Sequence, residues 1–551
     1  MPVAAPSIAD LGDAGPDSRK VFISPVNITA NGRAHLGHAA GPYLRMDILG
    51  RYLKRSGHQV TTVLTVDGFE NHVVVRATKE GVDPAALAHH YFYELSKDLG
   101  SLGVSYDIFE DPGYGLNMSD FARVQATLIQ ALEESKALAF REMLLPLHDV
   151  PGHGSEAAQD FCIGGWFSAQ CPRCEAAAGS FFCEACGDHF EPEEAKNPGS
   201  RTGRLSEWRL DVAAFLSLPP EIALPPLWEA MKIEPFFANL AQRYIGLRGQ
   251  TMRLSVPGTY GLDWRSPRFT SPQISFSYSS LMYAHSLYCG ERLHEKTGSG
   301  NPLREGDDTF LISATGVDNT VPMLVGVTGC AYAQGRFRSF DRVYFNHFLK
   351  LDGAKFSTSR RHVIWCGDIT SIPGLNLDLL RLHLAEKCPE EGEDNLSIEG
   401  MMTRHNTLFL VLDQKINNAC ACLREGKTPG FDPASLAQLH TLFREQIASL
   451  SLDMLRVSRA VAPVVEWIQA VDNLSDPATA YTWLKGLALL GMPFMPTLSA
   501  ELWRWLGHEG EIRTQDFFEQ PPLAVVEPPT LPGRQLFPSD FDTHLPIKEV
   551  A

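Results

Sequence analysis

The chain has 551 residues, 44% of them hydrophobic and 21% charged, which suits a soluble protein of two to four domains. No run of about 18 apolar residues suggests a membrane span, and the small, acidic first twenty residues lack the basic and apolar regions of a signal peptide. A net charge of −17 argues against holding nucleic acid by bulk electrostatics alone.

In chain order, residues 1–20 read as a disordered tail. Val21 to His38 then reads as a short apolar strand, a polar turn with Asn31-Gly32, and a helix opened by His35-Leu36-Gly37-His38. Free backbone N–H groups and the helix dipole favour an anion at such a turn. Two imidazoles add donors, and Gly37 leaves room beside the backbone. Pro42 to Ser56 has a helical apolar face, closed by Gly57-His58. The β-branched run from Gln59 to Val75 reads as a second buried strand with Asp67 at its end, suited to a ligand or to helix capping. Two helices follow, at about Asp83–Leu102 and Ser119–Lys136.

From Phe140 to Arg204 periodicity fades, and Gly, Cys and acidic residues take over. Cys171, Cys174, Cys183 and Cys186 form two CxxC knuckles, a thiolate set for one structural tetrahedral Zn²⁺. Residues 205–300 hold helices and aromatic-rich segments such as Ile274–Tyr288. Phe310 onward resumes strand–turn–helix character, with Gly316 and Asp318 at the turn, Asp318 fitting either ribose hydroxyls or a capping role. Val343–Leu351 reads as one further strand. Lys355, Ser357, Thr358, Ser359, Arg360 and Arg361 follow in a polar loop suited to pyrophosphate. From Leu396 to Gly507 the pattern is helical, in helices of about fifteen to twenty residues with Trp503 and Trp505 as packing anchors. A proline-rich extended tail ends the chain.

These pieces in this order resemble the class I aminoacyl-tRNA synthetases, methionyl-tRNA synthetase in particular. ANGRAHLGH is similar to that family's ANGxxHLGH, KFSTS stands in place of KMSKS, and the CxxC pair stands where a zinc knuckle would. The resemblance implies an α/β, Rossmann-like catalytic domain split by a zinc-bearing insertion and followed by an all-α bundle. The boundaries expected are 21–115 and 306–395 for the catalytic halves and 116–305 for the insertion, with its knuckle at 171–186. The bundle is expected over 396–515 and the tail over 516–551. It also implies an ATP-dependent ligase that uses Mg²⁺ and forms an aminoacyl-adenylate. His35, His38 and Lys355 would be catalytic. Asn31, Gly37, Gly316, Asp318, Ser357, Ser359 and Arg360 would hold ATP. By the same matching, the amino-acid site is Asn27, Thr29, Asp67, Phe276, Ser279, Ser280, Tyr283 and Met323.

The departures from the pattern fall on specificity positions. Asn27 and Thr29 replace a leucine and a tyrosine, Phe276 a tryptophan, Ser279-Ser280 an Ala-Pro pair, and Met323 a histidine. A thioether wants apolar, polarizable walls, so a smaller or more polar amino acid than methionine is expected. Thr358 replaces the second lysine of KMSKS, and Pro463-Val464 replaces the Pro-Trp pair that stacks on an anticodon. Residues 396–515 carry ten Lys/Arg against twelve Asp/Glu, unlike a tRNA-gripping domain. The expectation is therefore transfer to a small-molecule acceptor, such as an N-hydroxylated amino acid in natural-product biosynthesis, in the cytoplasm and with a possible partner enzyme. The alternatives are a methionine–tRNA ligase with a divergent pocket and an inactive regulatory relative.

Overall fold

The computed structural model describes residues 18–150, 158–183, 185–219, 221–357, 362–423, 427, 429–471 and 473–544. Five strands carry the catalytic sheet: β1 (Lys20–Ile23), β2 (Gln59–Asp67), β3 (Ile108–Glu110), β4 (Phe310–Gly316) and β5 (Arg342–Asn346). Their order is β5-β4-β1-β2, and both β3 and the two residues Ile28–Thr29 pair along the outer side of β2. Every pairing is parallel. Helices cover both faces, which is why the strand interiors are apolar on both sides: Phe22, Ile23, Val63, Leu64, Leu311 and Ile312 are all buried. The chain leaves β1 toward β2 on one side and returns through β4 on the other. That reversal opens a crevice beyond the carboxyl ends of β1 and β4, where open α/β sheets bind ligands.

Helix α1 (Leu44–Arg55) follows an irregular turn at Ala39–Tyr43, in which Gly41 leaves helical geometry ahead of Pro42. The β-branched run after Asp67 does not continue as a strand. Asn71–Glu80 is a helix, α2, because the Glu70 carboxylate accepts from the His72 N–H at 2.7 Å and caps its first turn. Helix α3 (Pro84–Ser101) is capped by Asp83 with proline at its first turn, and α4 spans Asn117–Glu134.

The segment with little periodicity holds a long antiparallel ribbon, Leu138–Val150 against Leu205–Ser217. A second, three-stranded sheet carries the cysteine knuckles. The chain re-enters at Gln273–Ser275, turns irregularly at Ser277–Leu281 and forms α5 (Met282–Thr297). Both α4 and α5, placed by sequence in the insertion, share one core with the sheet: Phe121 and Tyr288 pack with Phe22, Val63 and Leu311. The single strand expected over Val343–Leu351 is β5 plus a separate strand at Leu349–Leu351.

The bundle helices are Ile398–Cys422, Pro433–Ser449, Val457–Gln469, Pro477–Gly491 and Pro496–Trp505. They run from 10 to 25 residues, a wider spread than expected. Trp467, Trp483, Trp503 and Trp505 are buried among them. Buried arginines join the bundle to the sheet domain: Arg45 donates to the carbonyls of Phe345 (2.8 Å) and Leu455 (2.9 Å), and Arg381, paired with Asp47 at 2.6 Å, donates to the Phe494 carbonyl at 3.1 Å. After the bundle the chain runs back over it, burying Leu523, Leu531 and Leu536. No helix among the described residues is long and apolar enough to cross a membrane.

Candidate active site

The turn after β1 places both histidines at the crevice. The ring of His35 caps the short helix that follows, its Nδ1 accepting from the His38 N–H at 3.3 Å. The two imidazoles stack at 3.6 Å, and the ring of Phe356 stacks on His35 from the other side at 5.0 Å. Phe356, next to Lys355, therefore packs against the histidine turn. Burial, His38 and then the Lys355 charge hold His35 well below the usual histidine range, so it is neutral at physiological pH. His38 is the more exposed of the two, and desolvation by the surrounding protein lowers it to about 4. The Lys355 ammonium lies 4.3 Å from the centroid of the Phe348 ring.

Across the crevice, β4 ends at Gly316, and Asp318 folds back over it: a Cβ on Gly316 would meet Asp318 Oδ1 at 2.6 Å. A larger residue there would push the Asp318 carboxylate aside. Asp318 also faces Tyr43, whose phenol it helps raise after burial. Asn31 lies at the half-buried bend before the histidines. Ser357 exchanges backbone hydrogen bonds with His362 at 2.9 and 3.0 Å. Ser359 and Arg360 lie outside the described residues.

Asp67 ends β2 opposite Thr29 and is 1% exposed. Its Oδ1 accepts from the Phe69 N–H at 2.9 Å, and the Ser277 hydroxyl donates to its carboxylate. Burial and then the nearby Glu70 charge push Asp67 up to about 7. Asn27 leaves its Oδ1 buried without a partner beside this strand end. Phe276 packs between Phe181 and Tyr278.

Three expected pocket hydroxyls point elsewhere. Ser279 donates to the Arg253 carbonyl at 2.7 Å, Ser280 accepts from Gln125 at 3.2 Å, and Tyr283 donates to the Arg338 carbonyl at 2.7 Å. Met323 sits with Tyr283 in the core. The polarity expected from the serine pair is consumed inside the protein. The wall facing Asp67 is polar because of Ser277, Tyr278 and Glu70 instead, and only the adjacency of Ser277 to Phe276 hinted at this.

The sulfurs of Cys171, Cys174, Cys183 and Cys186 all lie within 4.8 Å of one another, the closest pair at 3.6 Å. Four converging thiols suit a closed tetrahedral Zn²⁺ site, and this is the group able to hold a metal among the described residues.

Fold and site define a class I synthetase catalytic domain with a cysteine knuckle. The chain belongs to the family of class I (M) tRNA synthetases, whose model matches residues 22–220 and 316–419. Methionine–tRNA ligase of Cytophaga hutchinsonii is 24% identical over 526 residues, covering 87% of this chain and 73% of that protein. The Parabacteroides distasonis methionine–tRNA ligase is 25% identical over 432 residues, covering 75% of this chain and 60% of its own length. A structure of Mycobacterium tuberculosis methionyl-tRNA synthetase in complex with methionyl-adenylate shares the fold. Its TM-score is 0.70 at 16% identity, over 94% of this chain and all of that one.

Proposed function

We propose that this chain activates an amino acid on ATP as an aminoacyl-adenylate and passes it to tRNA. One observation carries the reading: the parallel sheet presents the turn with His35 and His38 after β1 and Asp67 at the end of neighbouring β2, and Phe356, next to Lys355, packs on that turn. In the proposed reaction an amino-acid carboxylate attacks the α-phosphate, a new P–O bond forms, and the bond to pyrophosphate breaks. Neutral His35 and His38 donate to phosphate oxygens and Lys355 offsets charge on the leaving pyrophosphate, so catalysis is positioning plus electrostatics. Asp67, when ionised, pairs with the substrate ammonium. Mg²⁺ bound with the nucleotide would neutralise phosphate charge, and Cys171, Cys174, Cys183 and Cys186 would hold a Zn²⁺ that keeps the knuckle in shape. The names of the relatives, methionine–tRNA ligases, support tRNA as acceptor and methionine as one candidate substrate.

A second reading, transfer to a small-molecule acceptor, draws on the bundle. Val464 is 0% exposed and its neighbours Trp467 and Trp483 lie in the core, so these rings are not presented to a base. The relatives named above are methionine–tRNA ligases and do not support that acceptor. Amino-acid-dependent ATP–pyrophosphate exchange, run over all standard amino acids, tests activation; no exchange with any of them overturns it. Charging of tRNA by the purified chain separates the two acceptors.

A further inference from the structure

Between the knuckle sheet and the end of β2 lies a cavity of about 420 Å³, within the size range of small-molecule sites. Its walls are largely aromatic. Phe181 and Phe276 meet at 5.2 Å, Phe182 and Tyr278 at 4.9 Å, and Tyr260 closes another side. One carboxylate reaches it from the inside. Glu70 is 5% exposed, and its partners are the His72 N–H at 2.7 Å and the Tyr278 hydroxyl at 3.4 Å. Asp67 stands behind Ser277, itself a lining residue.

Among the described residues neither carboxylate is paired with a lysine or arginine; His72, 3.9 Å from Glu70, is the nearest basic group to it. The remaining charged lining groups, Asp160 and Arg201, are exposed and of opposite sign. A buried carboxylate without a cation is costly. Glu70, facing the aromatic rings with Asp67 behind it, forms a site that a ligand's positive charge completes, since ring faces attract ammonium ions. A single α-ammonium at Asp67 would leave Glu70 uncompensated.

We propose that this cavity receives a second ammonium group, carried by a small organic molecule, with Glu70 as its counter-ion and Phe276 and Tyr278 as its aromatic wall. The inference rests on the amino-acid-activating reading, which puts the first ammonium at Asp67. The second can come from the side chain of a diamino acid that is itself activated, or from a separate amine bound beside the adenylate. In the latter case the neutral amine nitrogen attacks the adenylate carbonyl and a C–N bond forms. The ammonium has first released one proton to solvent; on attack the C–O bond to the phosphate of AMP breaks, AMP leaves, and the second proton lost by the nitrogen passes to Glu70.

Two assays on the full chain separate these sources. If the amine belongs to the activated amino acid, exchange with lysine, ornithine or 2,4-diaminobutyrate exceeds that with norleucine or methionine at least tenfold in kcat/KM. If it is separate, an uncharged amino acid supports exchange, and 1,4-diaminobutane or lysine speeds AMP release without tRNA at least tenfold. In either case Glu70→Gln, which keeps an oxygen to cap α2, removes the amine preference measured as a ratio on one preparation. Gly179→Leu is the second variant. A Cβ at this lining residue meets nothing within 4 Å, so the larger side chain is tolerated at the cavity wall and is expected to raise KM for the amine several-fold. Exchange with uncharged amino acids and no amine response in either assay overturns the cavity assignment and leaves the activating reading standing. So does an unchanged preference in Glu70→Gln. No exchange with any amino acid overturns both.

Discussion

Phe356 lies flat on His35, ring centroids 5.0 Å apart and planes 10° from parallel. The contact ties the loop that carries Lys355 to the turn that carries both histidines, and it leaves Gly37 no spare room. A Cβ at Gly37 would stand 3.0 Å from the Phe356 ring and 3.1 Å from that of His35. Gly37→Ala is therefore expected to displace one ring and to lower adenylate formation by about 10- to 100-fold, since shifts of an ångström at reacting groups cost that much. Melting should move by only a few degrees. Pairing it with Phe356→Ala, which frees the space, should recover part of the loss in a double-mutant cycle. A fully additive cycle would sink the argument.

Lys355 is expected to act on pyrophosphate through its charge. Lys355→Ala should cut exchange at least tenfold, and Lys355→Arg should retain more of it, because the fixed cation survives. Equal loss in both variants would assign the residue to packing against Phe348.

Asp67 sets a pH dependence. Its carboxyl, pushed up to about 7 by burial and by Glu70, must be ionised to pair with an ammonium. KM for the amino acid should thus fall about tenfold per pH unit up to about 7 and level off above it. For stability the sign is opposite. Between 3.8 and about 7 the folded chain keeps a proton that the unfolded chain has released, so this stabilisation is present at the acid end and lost as pH rises through 7. His35 works the other way: below 6.5 the unfolded chain takes a proton that the buried ring refuses, and stability falls with falling pH. Asp67→Asn should flatten the KM profile, and Glu70→Gln should move its midpoint to lower pH. Pyrophosphate exchange across pH 5.5 to 8.5 reads both.

Much of this arrangement is legible in the sequence, for a physical reason. Strands buried on both faces must be apolar runs, so β1, β2 and β4 announce themselves, and Asp83 with Pro84 marks the start of α3. The cysteine spacing is a ligand set whatever surrounds it, and the sulfurs do converge. What stayed hidden depends on tertiary partners. The Val73–Val75 run looks like strand until the Glu70 cap is seen to turn it into helix. The ribbon at Leu138–Val150 is half solvated and carries weak patterning. Ser279 and Ser280 read as pocket polarity, yet their hydroxyls find Arg253 and Gln125 across the core. The cavity beside Glu70 is assembled from residues near 70, 164–182 and 256–278, which no local pattern joins.

The knuckle makes a prediction through that cavity. Ala177–Phe182, between the two CxxC pairs, forms part of its wall, and Cys171 and Cys183 are buried. The chain should carry close to one Zn²⁺, lost in Cys183→Ser, while the parallel sheet keeps its far-ultraviolet signature. Loss of metal should weaken amino-acid binding more than ATP binding, because the wall faces Asp67 and Glu70. Metal analysis with separate KM values checks this. A metal-free variant with both KM values unchanged would refute it.

Arg45 gives a stability test remote from the chemistry. Its side chain is 1% exposed, pairs with fully buried Glu390 at 3.1 Å, and donates to carbonyls on β5 and on the loop before the helix Val457–Gln469. One guanidinium thus bridges sheet and bundle. Arg45→Met fills a similar volume but strands the Glu390 charge and removes both carbonyls' donor, a change that costs about 3–5 kcal/mol when one partner of a buried pair is deleted. Adding Glu390→Gln removes the stranded charge and should return part of that loss. Urea unfolding of the two variants measures the difference, and a single variant no less stable than the parent would show that the bridge is dispensable. If the bundle is held mainly through this arginine and through Arg381 on the Phe494 carbonyl, the single variant should also split one unfolding transition into two, with the bundle opening first.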